Sequence, residues 1–244
     1  MVLLRSLLFY AGLVLATLVF APLSLILLAV PFRLRFRIMS QWSVFNLWWL
    51  GVTCGLRHDV TGIENIPDGP CIIMCKHQSA WETLALQLIF PAQVWVLKKE
   101  LLWIPIYGWA LATMEPIAID RASGMRALRQ IVDKGKPRLD KGLCVVIFPE
   151  GTRTAPGQRR KYQPGGGMLA SQSGYPVVPV AHNSGCFWPR HSLKKWPGTI
   201  RMVIGPPVDP KGRTAAQITR EVEDWIETTV ASLPVPVHNQ PADN

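Results

Sequence analysis

Two long uncharged stretches fill the first quarter of the chain, and short apolar runs alternating with amphipathic patterns fill the rest. Ser6 to Phe32 runs 27 residues without a charge. As a helix it would reach roughly 40 Å, more than the ~30 Å hydrocarbon thickness of a bilayer. No small-x-small cleavage site closes it, which argues against a signal peptide. A second uncharged run, Ile38 to Leu56, is interrupted by Ser40, Gln41, Ser43 and Asn46. Its aromatic residues Trp42, Phe45, Trp48 and Trp49 fall at helical spacing. That suits a helix lying in a membrane interface, and equally one packed on a globular domain.

Farther along, Val/Ile-rich runs at 70–76, 93–98, 116–120, 143–148, 176–181 and 199–204 read as strands. Helical patterns lie near 80–89, 100–112, 122–134, 165–173 and 214–231. Continuous apolar strands separated by helices indicate an α/β class with a mostly parallel central sheet flanked by helices. The expected organisation is a membrane-associated two-helix segment at 1–58, an α/β domain at 59–233 and a loose tail at 234–244.

Charge sharpens this picture. The chain of 244 residues carries a net charge of +10, with mean hydropathy +0.19. Residues 1–58 hold five Arg and no acid, and 151–208 hold eight basic residues and no acid. Two acid-free blocks therefore account for the excess, a pattern unlike that of a protein that coats nucleic acid, and no nucleic-acid partner is expected. Arg33, Arg35 and Arg37 directly follow the first apolar run, against Arg5 alone before it. The positive-inside bias then places the downstream domain on the cytoplasmic face of the inner membrane, with these arginines near anionic headgroups. The block at 151–208 suits phosphate-bearing partners. The five cysteines are an odd number. Cys71 and Cys75 lie on one strand with Cα atoms ~13 Å apart, too far for a disulfide or a shared metal, so reduced core thiols are expected.

In parallel sheets, sites gather beyond the carboxyl ends of the strands. There the sequence puts His77 and Glu82 after the first run, Lys98 and Lys99 after the second, Arg121 after the third and Glu150-Gly151-Thr152-Arg153 after the fourth. His77 suits a general base, and a carboxylate on its other ring nitrogen would fix the tautomer and stabilise the imidazolium. Glu82 fits that role. Ser79 to Glu82 is also a capping box, in which Glu82 bonds back to the backbone. The Pro149-Glu150-Gly151 turn, with Thr152 and Arg153, would grip a phosphate through backbone N–H groups and a guanidinium fork. A plain turn with a solvated arginine fits the same residues. Lys98 could equally be surface charge, and Arg121 could pair with Asp120. Gly165 to Ala170 matches G-x-G-x-x-A but lies about 16 residues past its strand with no acid following until Asp209, which makes a dinucleotide site weak. No G-x-S-x-G elbow, Walker-type loop or H-E-x-x-H is present. His182-Asn183-Ser184-Gly185 follows a strand, where a lone histidine is more often structural.

Together these motifs resemble the glycerolipid acyltransferases, specifically the 1-acylglycerol-3-phosphate acyltransferase family. KHQSAWE (Lys76 to Glu82) is similar to that family's His-x4-acid block, with Glu where Asp is usual. IAIDR (Ile117 to Arg121) looks like its second block, FPEGTRT (Phe148 to Thr154) is nearly its third, and YPVVPV (Tyr175 to Val180) resembles its fourth. Val96 to Leu101, with Ile104-Pro105 and Gly108-Trp109, is similar to the stretch between the first two.

The resemblance implies transfer of a fatty acyl group from acyl-CoA or acyl-ACP, as co-substrate, to the sn-2 hydroxyl of lysophosphatidate, giving phosphatidate. It implies His77 as general base and Glu82 as its partner. Arg121, Arg153 and Lys98 would hold the acceptor phosphate, with Glu150, Gly151 and Thr152 shaping that grip. It implies no covalent intermediate, no metal and no bound cofactor, and membrane lipids as partners. Another acceptor, such as glycerol-3-phosphate or a different lyso-lipid, or a lipid-binding protein without turnover, fits the same sequence less fully.

Overall fold

The computed structural model describes residues 1–236, and of Arg121 the backbone only. Helix α1 (Val2–Ile26) is followed by α2 (Phe32–Met39) and α3 (Gln41–Cys54). The α/β part runs β1 (Leu56–Thr61), β2 (Ile72–Cys75), α4 (Trp81–Ile89), β3 (Gln93–Lys98), α5 (Tyr107–Thr113), β4 (Ile117–Ile119), α6 (Met125–Asp140), β5 (Cys144–Ile147), α7 (Gly165–Ser173), β6 (Val177–His182), β7 (Gly198–Ile204) and α8 (Ala215–Ser232). The strands form one sheet in the order β1-β7-β6-β2-β5-β3-β4. Five run parallel. β7 pairs antiparallel to β6, and β1 follows β7.

The two-residue period of the central strands builds two cores. Cys71, Ile73 and Cys75 join Cys144 and Val146 on the face covered by α1, α3 and α4. Ile72, Met74, Val145 and Ile147 meet α6, α7 and α8 on the other. All five cysteines are buried free thiols, and Cys71 Sγ lies 3.6 Å from Cys144 Sγ on the neighbouring strand.

The N-terminal segment differs from the expected two helices. α1 begins ahead of the uncharged run, includes Arg5 and ends before Pro31, whose ring disfavours helix in the preceding residue. The short α2 then carries the arginines. Phe9, Leu47, Leu50 and Cys54 belong to the same core as the sheet, and β1 straddles residue 58, so packing is continuous across that boundary. α1 is also turned inside out. Ser6, Gly12, Ala16, Ala21 and Ser24 face the protein, while Leu4, Leu15 and Val19 are largely exposed. Gly12 is required there, because a Cβ would lie 2.1 Å from Trp49 Nε1.

Two of the arginines expected at headgroups also bond within the fold. Arg35 is buried, pairs with Glu115 at 2.9 Å and donates to Leu28 O and Val30 O just past α1. Arg33 donates to Gly142 O. Elsewhere the helix at 100–112 is a 3-10 turn followed by α5, and α6 continues to Asp140 through Pro137. β1 was missed because its polar, alternating sequence, LRHDVT, belongs to an edge strand. The expected loose tail falls mostly on residues 237–244, outside the described residues.

Candidate active site

β2 ends at Cys75, and α4 begins only at Trp81. The intervening loop turns back so that His77 and Glu82 meet. His77 Nδ1 lies 2.8 Å from Glu82 Oε1. The same oxygen accepts the backbone N–H groups of Gln78 and Ser79, both at 2.9 Å. The dyad and the cap are therefore one arrangement: a single carboxylate in the first turn of α4 orients the histidine and closes the loop. The longer glutamate arm brings its second oxygen, Oε2, to Ser79 Oγ at 2.7 Å and Ser184 Oγ at 3.1 Å.

Glu82 is fully buried, and burial works against its charge. The surrounding donors outweigh that cost and hold it below the ordinary carboxylate value. His182 and His77 both contribute, but burial keeps His182 itself neutral, so hydrogen bonds rather than its charge carry the effect. A carboxylate so firmly ionised accepts the Nδ1 proton and leaves Nε2 as the basic nitrogen. That tautomer is assigned from the hydrogen-bond network.

A second layer fixes the His77 backbone. Its N–H donates to Glu150 Oε2 at 3.2 Å, and its carbonyl accepts from Thr154 N at 2.8 Å. The imidazole stacks on Phe148 with 3.9 Å between centroids. Glu150 and Lys76 are both buried, with Lys76 Nζ 3.1 Å from Glu150 and 2.7 Å from Glu227 on α8. One cation thus serves two carboxylates. Burial raises Glu150 to about 7 despite Lys76.

His77 lines a cavity of about 450 Å³ together with Leu13 and Thr17 of α1, Trp42 of α3, Phe148 and Arg153. A second cavity of about 520 Å³ shares Val96 and Phe148 with it, has an apolar floor from Ile119, Leu128 and Ile131, and carries Gly151, Thr152 and Arg160.

The expected phosphate grip is therefore divided. Arg153 faces the histidine's cavity. Gly151 and Thr152 border the other. Lys98 lines neither; its side chain is half exposed and lies 3.8 Å from Glu100. Arg121 opens a short 3-10 turn after β4, between Ile119 and Gly124 of the second cavity. Glu150 borders the second cavity beside Gly151 and Thr152, and its buried carboxylate also accepts the His77 N–H and pairs with Lys76.

Two contributors escaped the sequence reading, Lys76 and Phe148 as a stacking partner, and the His182-Ser184 turn was read there as structural. A lysine ending a run as apolar as Ile-Ile-Met-Cys was a usable signal, because buried lysines are paired.

The acyltransferase family model matches residues 57–183. The 1-acyl-sn-glycerol-3-phosphate acyltransferase of Pseudomonas aeruginosa is 44% identical over 94% of this chain and 91% of its own. The human alpha enzyme of that name is 29% identical over 79% of this chain and 70% of its own. The crystal structure of the 1-acyl-sn-glycerophosphate (LPA) acyltransferase PlsC from Thermotoga maritima superposes with a TM-score of 0.78. It covers 99% of this chain and 98% of that one at 24% identity, a likeness of fold. With the motifs in order along a matching fold, the chain belongs to the 1-acyl-sn-glycerol-3-phosphate acyltransferase family and is an acyltransferase enzyme.

Proposed function

We propose that the protein transfers a fatty acyl group from acyl-CoA or acyl-ACP to the sn-2 hydroxyl of 1-acyl-glycerol-3-phosphate, forming phosphatidate. The observation that carries this reading is the His77–Glu82 pair opening into a cavity that holds one arginine among apolar walls. His77 Nε2 takes the hydroxyl proton as the acceptor oxygen bonds to the thioester carbonyl carbon. Glu82 stabilises the resulting imidazolium. The carbon–sulfur bond then breaks, and the thiolate leaves with the proton returned by His77. No enzyme atom bonds to the acyl group. Arg153 is the cation placed to meet the acceptor phosphate beside the histidine, and Arg121 and Lys98 remain candidates at the rim.

Walls contributed by Leu13 and Thr17 favour an acylated acceptor over water-soluble glycerol-3-phosphate, because those residues belong to the helix that exposes leucines to its surroundings. The long apolar α1 associates the protein with a membrane. Buried residues from Ser6 to Ser24 favour a helix lying along the domain and embedded in one leaflet over one crossing the bilayer. Trp48, Trp103 and Trp109 are exposed and suit the interface, with the catalytic domain on the cytoplasmic side. Supplying purified protein with lysophosphatidate and each acyl thioester in turn tests the reaction. Phosphatidate should form, and should vanish in His77→Ala. Wild-type protein yielding no phosphatidate above that control refutes the proposal.

A further inference from the structure

Glu82 receives more donors than the dyad needs, and one comes from far along the chain. Ser184 lies in the short turn after β6, and its Oγ is 3.1 Å from Glu82 Oε2 and 2.9 Å from Ser79 Oγ. Ser79 Oγ already accepts the Trp81 N–H at 2.9 Å and lies 2.7 Å from Glu82 Oε2, where it donates its single proton. The Ser184 proton then goes to Glu82 directly or to Ser79 as Ser79 donates onward. Either route strengthens the bonding to the same carboxylate oxygen.

The turn holding Ser184 is itself pinned. His182 is fully buried, its Nε2 is 2.8 Å from Lys76 O, and its Nδ1 accepts the Ser184 N–H at 3.3 Å. Only the neutral Nε2–H tautomer satisfies both contacts. The Gly185 N–H donates to Gln78 Oε1 at 3.1 Å, so the turn docks on the loop that carries His77. Around the carboxylate stand His77 from that loop and His182 from β6, with Cys75 of β2 behind, while Glu150 and Lys76 lie below His77.

We propose that Ser184, oriented by His182, is a positioning residue for catalysis: its hydroxyl holds the outer oxygen of Glu82, so that the inner oxygen keeps the His77 ring aimed at the acceptor hydroxyl. This rests on the general-base reading of His77. It gives the HNSG segment after β6 a role in the reaction that its burial alone does not require. It also supplies the anchor that a glutamate, one methylene longer than aspartate, needs to remain in one conformation.

The test combines turnover with a titration that does not depend on turnover. In Ser184→Ala, kcat should fall about 10–100-fold, the worth of one hydrogen bond to a charged group, with KM for lysophosphatidate unchanged. Ser184→Thr, which keeps the hydroxyl, should restore most of the rate. The imidazole ¹⁵N titration of His77, assigned by its loss in His77→Ala, should move to higher pH in Ser184→Ala, because a carboxylate short of one donor attracts the imidazolium more strongly. If Ser184→Ala does not fold, Ser184→Cys takes its place in both measurements. Unchanged kcat with an unmoved titration overturns the proposal. So does a fall in kcat accompanied only by a lower melting temperature, since that marks a structural residue. Absence of phosphatidate from the wild type overturns the proposed reaction instead, and the titration still decides whether Ser184 acts through Glu82 on His77.

Discussion

Replacing Lys76 by Met should damage the fold from beneath the site, and the damage should grow with pH. Lys76 Nζ lies between Glu150 at 3.1 Å and Glu227 at 2.7 Å, and Tyr162 donates to the same Glu227 oxygen. Methionine fills the space of the lysine stem but leaves two carboxylates facing each other without a cation. Removing one member of a buried ion pair costs about 3–5 kcal/mol. For a chain of this length each kcal/mol is worth ~2–4 °C, so melting should fall by about 6–20 °C. Protonation limits the loss at low pH. Glu150 already stands at about 7 in the folded protein, above the ordinary carboxylate value, and losing Lys76 raises it further.

An acid whose folded value is raised stabilises the fold fully below its unfolded pKa, and that contribution disappears as pH rises through the folded value. Melting of Lys76→Met should therefore trail the wild type modestly at pH 6 and by much more at pH 8. Adding Glu150→Gln should recover most of the difference, since Gln still accepts the His77 N–H. Differential scanning fluorimetry in detergent across pH 6–8 reads all three proteins. A Lys76→Met protein melting within 2 °C of wild type at pH 8, or trailing it equally at every pH, would refute the reasoning.

Glu82→Gln should keep the fold, because an amide oxygen still accepts the Gln78 and Ser79 N–H groups, yet lose about 10²–10⁴-fold in kcat because it cannot stabilise an imidazolium; initial rates with circular-dichroism controls check both. Lys195, enclosed by Tyr10 at 3.6 Å and Trp188 at 4.6 Å, is lowered by burial to about 8. The wild type should therefore gain stability relative to Lys195→Met between about pH 8 and the ordinary lysine value of 10.5, as read by paired melts. Gly12→Val should force α1 away from Trp49 and lower both melting temperature and vesicle binding, whereas Trp103→Ser with Trp109→Ser should weaken vesicle flotation alone.

Legibility followed distance along the chain. His77 and Glu82 are five residues apart, so the strand-to-helix turn that joins them is written locally, and one carboxylate makes both the contact to the His77 ring and the bond back to the Ser79 N–H. The central strands were legible because fully buried parallel strands are continuously apolar. β1 was not, since an edge strand facing water on one side carries the polar alternation of a loop. Nor could the phosphate group be divided from sequence. Gly151, Thr152 and Arg153 are consecutive, yet Phe148 stands between the two cavities they border, and only tertiary packing decides which residue faces which.

What remained hidden is what strand order brings together. β2 lies between β5 and β6, so the loop after β2 is flanked by the turn after each neighbour. From β5 come Glu150 on the His77 N–H and Phe148 against its ring; from β6 come His182 on the Lys76 carbonyl and Ser184 on Glu82. Parallel strands put all three turns at the same sheet edge, so the base can be held on both sides by residues more than seventy positions away. A central strand next to a parallel strand on each side can do this, and an edge strand cannot. The placement of His77 on β2 is thus the reason that a short, glycine-free loop can hold a general base rigidly: its stiffness comes from its neighbours rather than from its own sequence.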